Sequence, residues 1–182
     1  MQLKNLNTSF LGRKIIFLQK VDSTQNEIWR LIENNKIASG TIVMADIQTA
    51  GKGTHGRTWY TDESGNIAFS MYIKTSCNVD ALAGVTLAIS VQIISVLQEK
   101  YGISLDIKEP NDIMINDKKV GGILTETKTI ADEVKMLVIG IGINTTKMKF
   151  DGELKNIATS IKKEFDVTVV PEDFISEFCN RF

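Results

Sequence analysis

The chain has 182 residues, 43% hydrophobic and 24% charged, with a net charge of −1. That is enough chain for one domain with a sizeable core. The near-zero charge excludes a general polyanion binder and leaves nucleotide contacts to a local basic cluster.

Met1-Gln2-Leu3-Lys4-Asn5 is polar and lacks the apolar run of a signal peptide. No stretch is expected to reach membrane-spanning length free of charge. Cys77 and Cys179 lie far apart, without metal-ligand spacing, and read as reduced thiols of a cytoplasmic protein. A short strand is expected at Lys14–Leu18 and a helix at Thr24–Asn35, where Thr24 and Glu27 have capping-box spacing. Ile28, Leu31 and Ile32 share one face of that helix. Gly40 ends it, and Thr41–Gln48 reads as a β-branched strand. Beyond a glycine loop, Asn66–Lys74 alternates, with Ile67, Phe69, Met71 and Ile73 on one face. The longest helix is expected over Val79–Tyr101, stopped by Gly102. Ile103–Lys108 reads as a strand, and Asp112–Asn116 with Lys119–Thr127 as a hairpin turning at Asn116-Asp117. Val134–Ile143 is apolar enough for a central strand. Helices near Asn156–Phe165 and Pro171–Arg181 close the chain, with Pro171 suited to a first helical position. Strands outnumber helices and several are hairpin-linked. The expected class is α+β: a mixed, largely antiparallel sheet with helices packed on one side.

Four clusters carry chemistry. Gly51-Lys52-Gly53-Thr54-His55-Gly56-Arg57 fits G-x-G-x-x-G and nearly fits a P-loop. Both motifs need a helix to begin there and receive the phosphate. Here a loop and then a strand follow, so both are rejected. The physical content survives. Glycine backbone can turn several N–H groups onto one anion, which Lys52 and Arg57 would neutralise. Lys108-Glu109-Pro110-Asn111-Asp112 places a lysine at a strand end, where it could hold a carboxylate beside a phosphate. Lys119-Val120-Gly121-Gly122-Ile123-Leu124 puts paired glycines inside an apolar strand, as a flat ligand against the backbone would require. Gly140-Ile141-Gly142-Ile143-Asn144 leaves one strand face nearly bare and ends on an amide. Each cluster alone also has a plain reading: a glycine turn, a surface lysine, a bulge, a turn asparagine. No metal cluster or hydrolase triad is apparent.

These clusters, in this order, resemble the catalytic domain of biotin–protein ligases. The matching stretches are Val21–Asn26, Gln48–Gly53 through Gly56–Trp59, Ser64–Ser70, Lys108 with Pro110-Asn111-Asp112, Lys119–Leu124 and Gly140–Asn144. The resemblance implies a class II aminoacyl-tRNA-synthetase-like fold, with residues 1–182 as one catalytic domain. It implies that biotin and ATP condense to biotinyl-AMP and pyrophosphate, with Mg2+ accompanying ATP. Biotin then passes to one lysine of a biotin carboxyl carrier domain. By the same resemblance Ser23, Thr24, Gln48, Gly51, Lys52, Gly53, Lys108, Gly121 and Gly122 would bind biotin. Lys52, Gly53, Thr54, Arg57, Trp59, Asn111 and Asn144 would bind ATP or the adenylate. Lys108 would bridge carboxylate and α-phosphate, with Arg57 the second catalytic cation.

The chain departs from the family pattern at Lys52 and Thr54, where arginines are usual, and at Glu109, where a tryptophan is usual. Thr54 lacks a charge that would help retain the adenylate. No room is expected for an N-terminal DNA-binding domain, and the small C-terminal β-barrel domain of many relatives is expected to be absent or truncated. No DNA or membrane partner is expected, and edge-strand pairing into a homodimer is compatible with the sheet. A lipoate–protein ligase shares the reaction class; a non-catalytic biotin sensor is the reading from another class.

Overall fold

A computed structural model describes residue 3 and residues 5–61 and 66–182. Met1, Gln2 and Lys4 of the polar start, and Asp62, Glu63, Ser64 and Gly65 ahead of the third strand, lie outside the described residues. The strands are β1 (Ile15–Val21), β2 (Ile42–Gln48), β3 (Ile67–Asn78), β4 (Asp106–Lys108), β5 (Asp112–Ile115), β6 (Lys118–Ile130) and β7 (Glu133–Ile143). The helices are α1 (Thr24–Glu33), α2 (Val85–Tyr101), α3 (Leu154–Ile157), α4 (Ile161–Phe165) and α5 (Pro171–Cys179). The strands form one sheet in the order β1-β2-β3-β7-β6-β5-β4. β1 and β2 run parallel, and the remaining neighbours are antiparallel. The α+β class with a mixed, largely antiparallel sheet is therefore as expected.

The helices do not all share one side. Ile42, Met44, Phe69, Met71, Ile139 and Ile141 face a core built with Ile93, Val96 and Leu97 of α2 and Phe174, Ile175 and Phe178 of α5. The alternate residues Val43, Tyr72 and Val138 face the other way, against Ile28 and Ile32 of α1. Strand side chains alternate between faces, so a two-faced apolar β2 needs a helix on each side. α1 covers only part of its face. Further along, the same face passes through Ser70 of β3, Gly140 and Gly142 of β7, and Gly122 and Leu124 of β6, which register places side by side. That bare half is where a ligand can reach the sheet.

Several boundaries differ from the pattern-based expectations. The long helix is interrupted: Val79–Leu82 is one tight 3-10 turn, and α2 begins only after Gly84, whose φ is +84°. Residues Val79–Tyr101 are, by length and composition, apolar enough to cross a membrane, against expectation. In the fold, Ile89, Ile93, Val96 and Leu97 of this stretch are buried in the core. Gly102 ends α2 with φ +69°, donating its N–H to Gln98, while Ile103 donates to Leu97. That closure holds Ile103 in the core, so β4 starts only at Asp106. The Asn116-Asp117 hairpin is present, with φ of 46° and 65° at its two central residues. A second hairpin turn of the same sign pattern, Ala131-Asp132, joins β6 to β7. The final expected helix pair becomes three, because Ala158 and Thr159 leave helical geometry to pair with the start of β6: Thr159 donates its N–H to the Lys119 carbonyl at 2.9 Å.

Phe178 anchors the α2–α5 side. Its ring meets Phe69 edge-on at 5.7 Å and lies 6.1 Å from Phe174 and 5.2 Å from Phe182. Truncation there leaves a cavity that rigid neighbours cannot fill. Phe178→Ala should cost about 3–5 kcal/mol in urea unfolding, and a loss below about 1 kcal/mol would contradict this placement.

Candidate active site

The bare sheet face is built around a buried polar network. Ser23 has the extended conformation of an N-cap, and Thr24 is the first residue of α1. The expected capping box on Thr24 is not formed; Glu27 instead pairs with Arg30. The reason lies in Gln48, at the end of β2. Its Oε1 accepts from the Thr24 backbone N–H at 2.8 Å and from the Thr24 hydroxyl at 3.2 Å. A foreign carboxamide therefore satisfies the helix N-terminus. The Thr24 hydroxyl is also 2.8 Å from that of Ser70. Ser70 in turn donates to Gln25 Oε1 at 2.9 Å, and Gln25 Nε2 donates to the Val138 carbonyl at 3.1 Å. α1, β2, β3 and β7 are thus cross-linked through groups that are all at least nine-tenths buried. Ser23 is left over: its hydroxyl is buried and has no hydrogen-bond partner among the described residues. Buried hydroxyls without partners are uncommon and mark places where a ligand completes the bonding.

Two open cavities meet at this network. The first, about 430 Å³, is lined by Ser23, Thr24, Gln25, Gln48, Ser70, Leu124, Gly122, Gly140 and Gly142, with Lys52, Gly53, Thr54, Trp59, Asn111 and Lys119 at its edge. The second, about 720 Å³, is lined by Gly53, Thr54, Arg57, Trp59, Tyr60, Lys119, Asn144, Lys147, Phe150, Leu154 and Ile157. Gly53, Thr54, Trp59 and Lys119 belong to both and form the wall between them.

The glycines have a steric reason. A Cβ on Gly142 would sit 2.3 Å from the Trp59 indole, and one on Gly140 would sit 2.7 Å from Gln25 Oε1. Trp59 therefore lies against β7 at Gly142, and its buried Nε1 lacks a partner among the described residues. Lys119 lies beside it, with Nζ 5.9 Å from the ring centroid and 2.6 Å from Asp112 Oδ1. The loop itself is a small hairpin. Trp59 N–H donates to Gly51 O at 2.8 Å and Gly53 N–H to Arg57 O at 2.7 Å. The Arg57 guanidinium bonds to the Thr54 hydroxyl at 2.9 Å.

Of the residues expected at the site, Ser23, Thr24, Gln48, Lys52, Gly53, Thr54, Trp59, Asn111 and Gly122 line the first cavity; Gly53, Thr54, Arg57, Trp59 and Asn144 line the second. Lys108, Gly51 and Gly121 line neither. Lys108 is exposed on the edge strand β4. Gly121 points to the opposite face, against Ile113. Gly51 is a close-packing position, where a Cβ would meet the Trp59 carbonyl at 2.4 Å. The Asn144 amide already donates to the Thr159 carbonyl at 3.1 Å. Gln25, Ser70 and Lys119 were not singled out from sequence. Lys119 heads the glycine strand, so its position ahead of Gly121-Gly122 was the available signal.

The fold is that of an α+β domain with a ligand-sized cleft on a glycine-paved sheet face. Residues 17–144 match the Biotin/lipoate A/B protein ligase family, and the chain belongs to that family. The Bacillus subtilis bifunctional ligase/repressor BirA is 39% identical over 160 residues, covering 87% of this chain and 49% of that one. The biotin–[acetyl-CoA-carboxylase] ligase of Paracoccus denitrificans is 30% identical over 170 residues, covering 91% and 70%. The solved biotin protein ligase of Aquifex aeolicus in complex with biotin and ATP superposes with a TM-score of 0.76 at 30% identity, covering 93% and 68%. The chain spans about half the length of the bifunctional ligase/repressor relatives it matches.

Two predictions follow from this geometry. Gly142→Ala should expel the Trp59 indole from the sheet face, changing its fluorescence and weakening ligand binding at least about tenfold, since no rotamer clears a contact that short. An unchanged Trp59 signal in the folded variant would refute the packing. The second concerns Asp22, which precedes the N-cap. The Arg30 guanidinium, 2.6 Å away, holds its carboxyl well below the usual carboxylate range. A depressed folded-state pKa stabilises above the unfolded value and is lost as pH falls. The stability advantage of wild type over Asp22→Asn should be constant above about pH 5 and shrink below about pH 4 in acid-unfolding series. An advantage that grew on acidification would contradict the pairing.

Proposed function

We propose that this domain activates biotin with ATP to biotinyl-AMP, releasing pyrophosphate, and then transfers biotin to a lysine of a biotin carboxyl carrier domain. The observation that carries the reading is the junction of the two cavities at Lys119. One cavity has a glycine floor and an unpartnered buried hydroxyl, suited to a flat polar ring. The other is lined by Arg57, whose guanidinium is suited to phosphates. A carboxylate from the first and an α-phosphate from the second would meet beside Lys119.

In this reading Ser23 bonds the biotin head group, while Gln48, Thr24, Ser70 and Gln25 hold α1 against the sheet so that the hydroxyl stays in place. Lys119 and Arg57 offset the repulsion between two anions in contact, a charge that rises as the carboxylate oxygen attacks phosphorus. Asp112 fixes the lysine, and Trp59 roofs the anhydride and limits water. In the second step the carrier amine attacks the acyl carbonyl and AMP leaves. Lys119 lines both cavities and Lys108, expected to bridge carboxylate and phosphate, lines neither, so this reading gives the bridging charge to Lys119. Among the described residues no group of three or more His, Cys, Asp or Glu could hold a metal. Magnesium enters this reading as part of the MgATP substrate.

Pyrophosphate release, run with biotin and with lipoate, tests the assignment. Wild type should respond to biotin only, Lys119→Met should lose on the order of a hundredfold, and Lys108→Ala should remain within about threefold. A lipoate-only response, or a greater loss in the Lys108 variant, would overturn it. Thr54 supplies no charge at the wall between the cavities. Thr54→Arg should lower the free biotinyl-AMP released per turnover; equal release would count against a role for that missing charge.

A further inference from the structure

The site-side face of β6 continues past the floor of the first cavity. Gly122 and Leu124 line that cavity, and Glu126, next on the same face, stands opposite Val138 beside α1. Both Glu126 carboxylate oxygens are engaged, with unlike partners. Oε2 accepts from the Trp29 indole N–H of α1 at 2.6 Å, and Oε1 accepts from the Lys52 ammonium at 3.3 Å. Lys52 lies 74 residues away in the glycine loop and lines the first cavity, whereas Trp29 and Glu126 line neither cavity. Apart from this pair, the side-chain hydrogen bonds of residues 51–58 described above stay within the loop.

We propose that Glu126 is a positioning residue for the reaction: anchored by Trp29, it holds the Lys52 ammonium, and with it the glycine loop, at the edge of the biotin cavity. An ammonium has three protons. With one directed to Glu126, the others remain for the ligand carboxylate. The anchor is itself fixed on two sides, by the β6 backbone and by α1, so the cation is placed before the ligand arrives. Pre-placement of a charge on a glycine loop lowers the ordering cost of binding. The inference rests on the reading of the first cavity as the biotin site.

Glu126→Gln separates the two bonds. The glutamine carbonyl can still accept from Trp29, but its amide donors cannot accept from an ammonium. Calorimetric biotin titrations should compare wild type, Glu126→Gln, Lys52→Met and the double variant at low ionic strength. The Trp29 indole 15N–1H signal would report that its bond persists. The pair is partly exposed, with side chains 39% and 29% accessible. Glu126→Gln should therefore weaken biotin binding about three- to fivefold, less so at high salt, with kcat at saturating biotin within about twofold. In the Lys52→Met background the same change should have no effect. An equal loss in both backgrounds, or no loss in wild type, would overturn the positioning role while leaving the biotin site standing. A wild-type protein that binds no biotin would overturn the site and this inference together.

Discussion

The molecule depends on the absence of side chains at a few adjacent points of one sheet face. Gly122 and Gly142 stand opposite each other across β6 and β7, and Gly140 follows two residues earlier on the same face. Any Cβ at Gly142 would occupy the volume of the Trp59 indole. A bare patch of sheet is costly, because glycine loses the most chain entropy on folding and contributes no packing. The fold offsets that cost on the opposite face, where Ile139, Ile141, Ile143 and Ile123 are packed against α2 and α5. One strand thus supplies both the densest part of the core and the thinnest wall of the cleft.

The bare face would collapse under α1 if the helix were free to slide. The chain from Gln48 through Thr24 and Ser70 to Gln25 stops it, since each bond is buried and each joins α1 to a strand, β2, β3 or β7. Gln48 thereby does two jobs usually split between residues. It terminates a strand, and it accepts from the first N–H of the helix, which an N-cap side chain does not serve. The Ser23 hydroxyl makes no cap bond and, among the described residues, has no partner at the cleft.

Strong periodicities and punctuation were legible in the sequence: the alternation of β3, the apolar β7, the Asn116-Asp117 turn and the Gly102 helix end. Of the glycines expected at the site, Gly53 of the loop and Gly122 of the pair line the candidate cleft. What escaped was two-faced or non-local. Gly84 breaks an apolar run whose hydrophobicity reads as one helix. Ala131-Asp132 turns without the glycine that normally signals such a hairpin. Ile103, Leu105 and Ile107 alternate as a strand would, yet the α2 end holds Ile103 and shortens β4. Both Lys108 and Lys119 sit among motif residues, and nothing in their local pattern separates them. The separation comes from sheet order, which leaves β4 at the edge and puts β6 beside β7.

That order also explains why the charges cluster where they do. Lys119 is held from three directions: its carbonyl accepts from Thr159, its ammonium meets Asp112, and the Trp59 ring lies beneath it. Lys52 has its own post in Glu126. Arg57 is different, bonded only within the loop to Thr54. Lys119 is therefore placed by the sheet, whereas Lys52 and Arg57 share one loop hairpin that Glu126 ties to β6 through Lys52. In the proposed reaction a carboxylate in the first cavity would meet Lys52 and Lys119, and a phosphate in the second would meet Arg57. Fixed charges cost no reorganisation when a negative group arrives beside them.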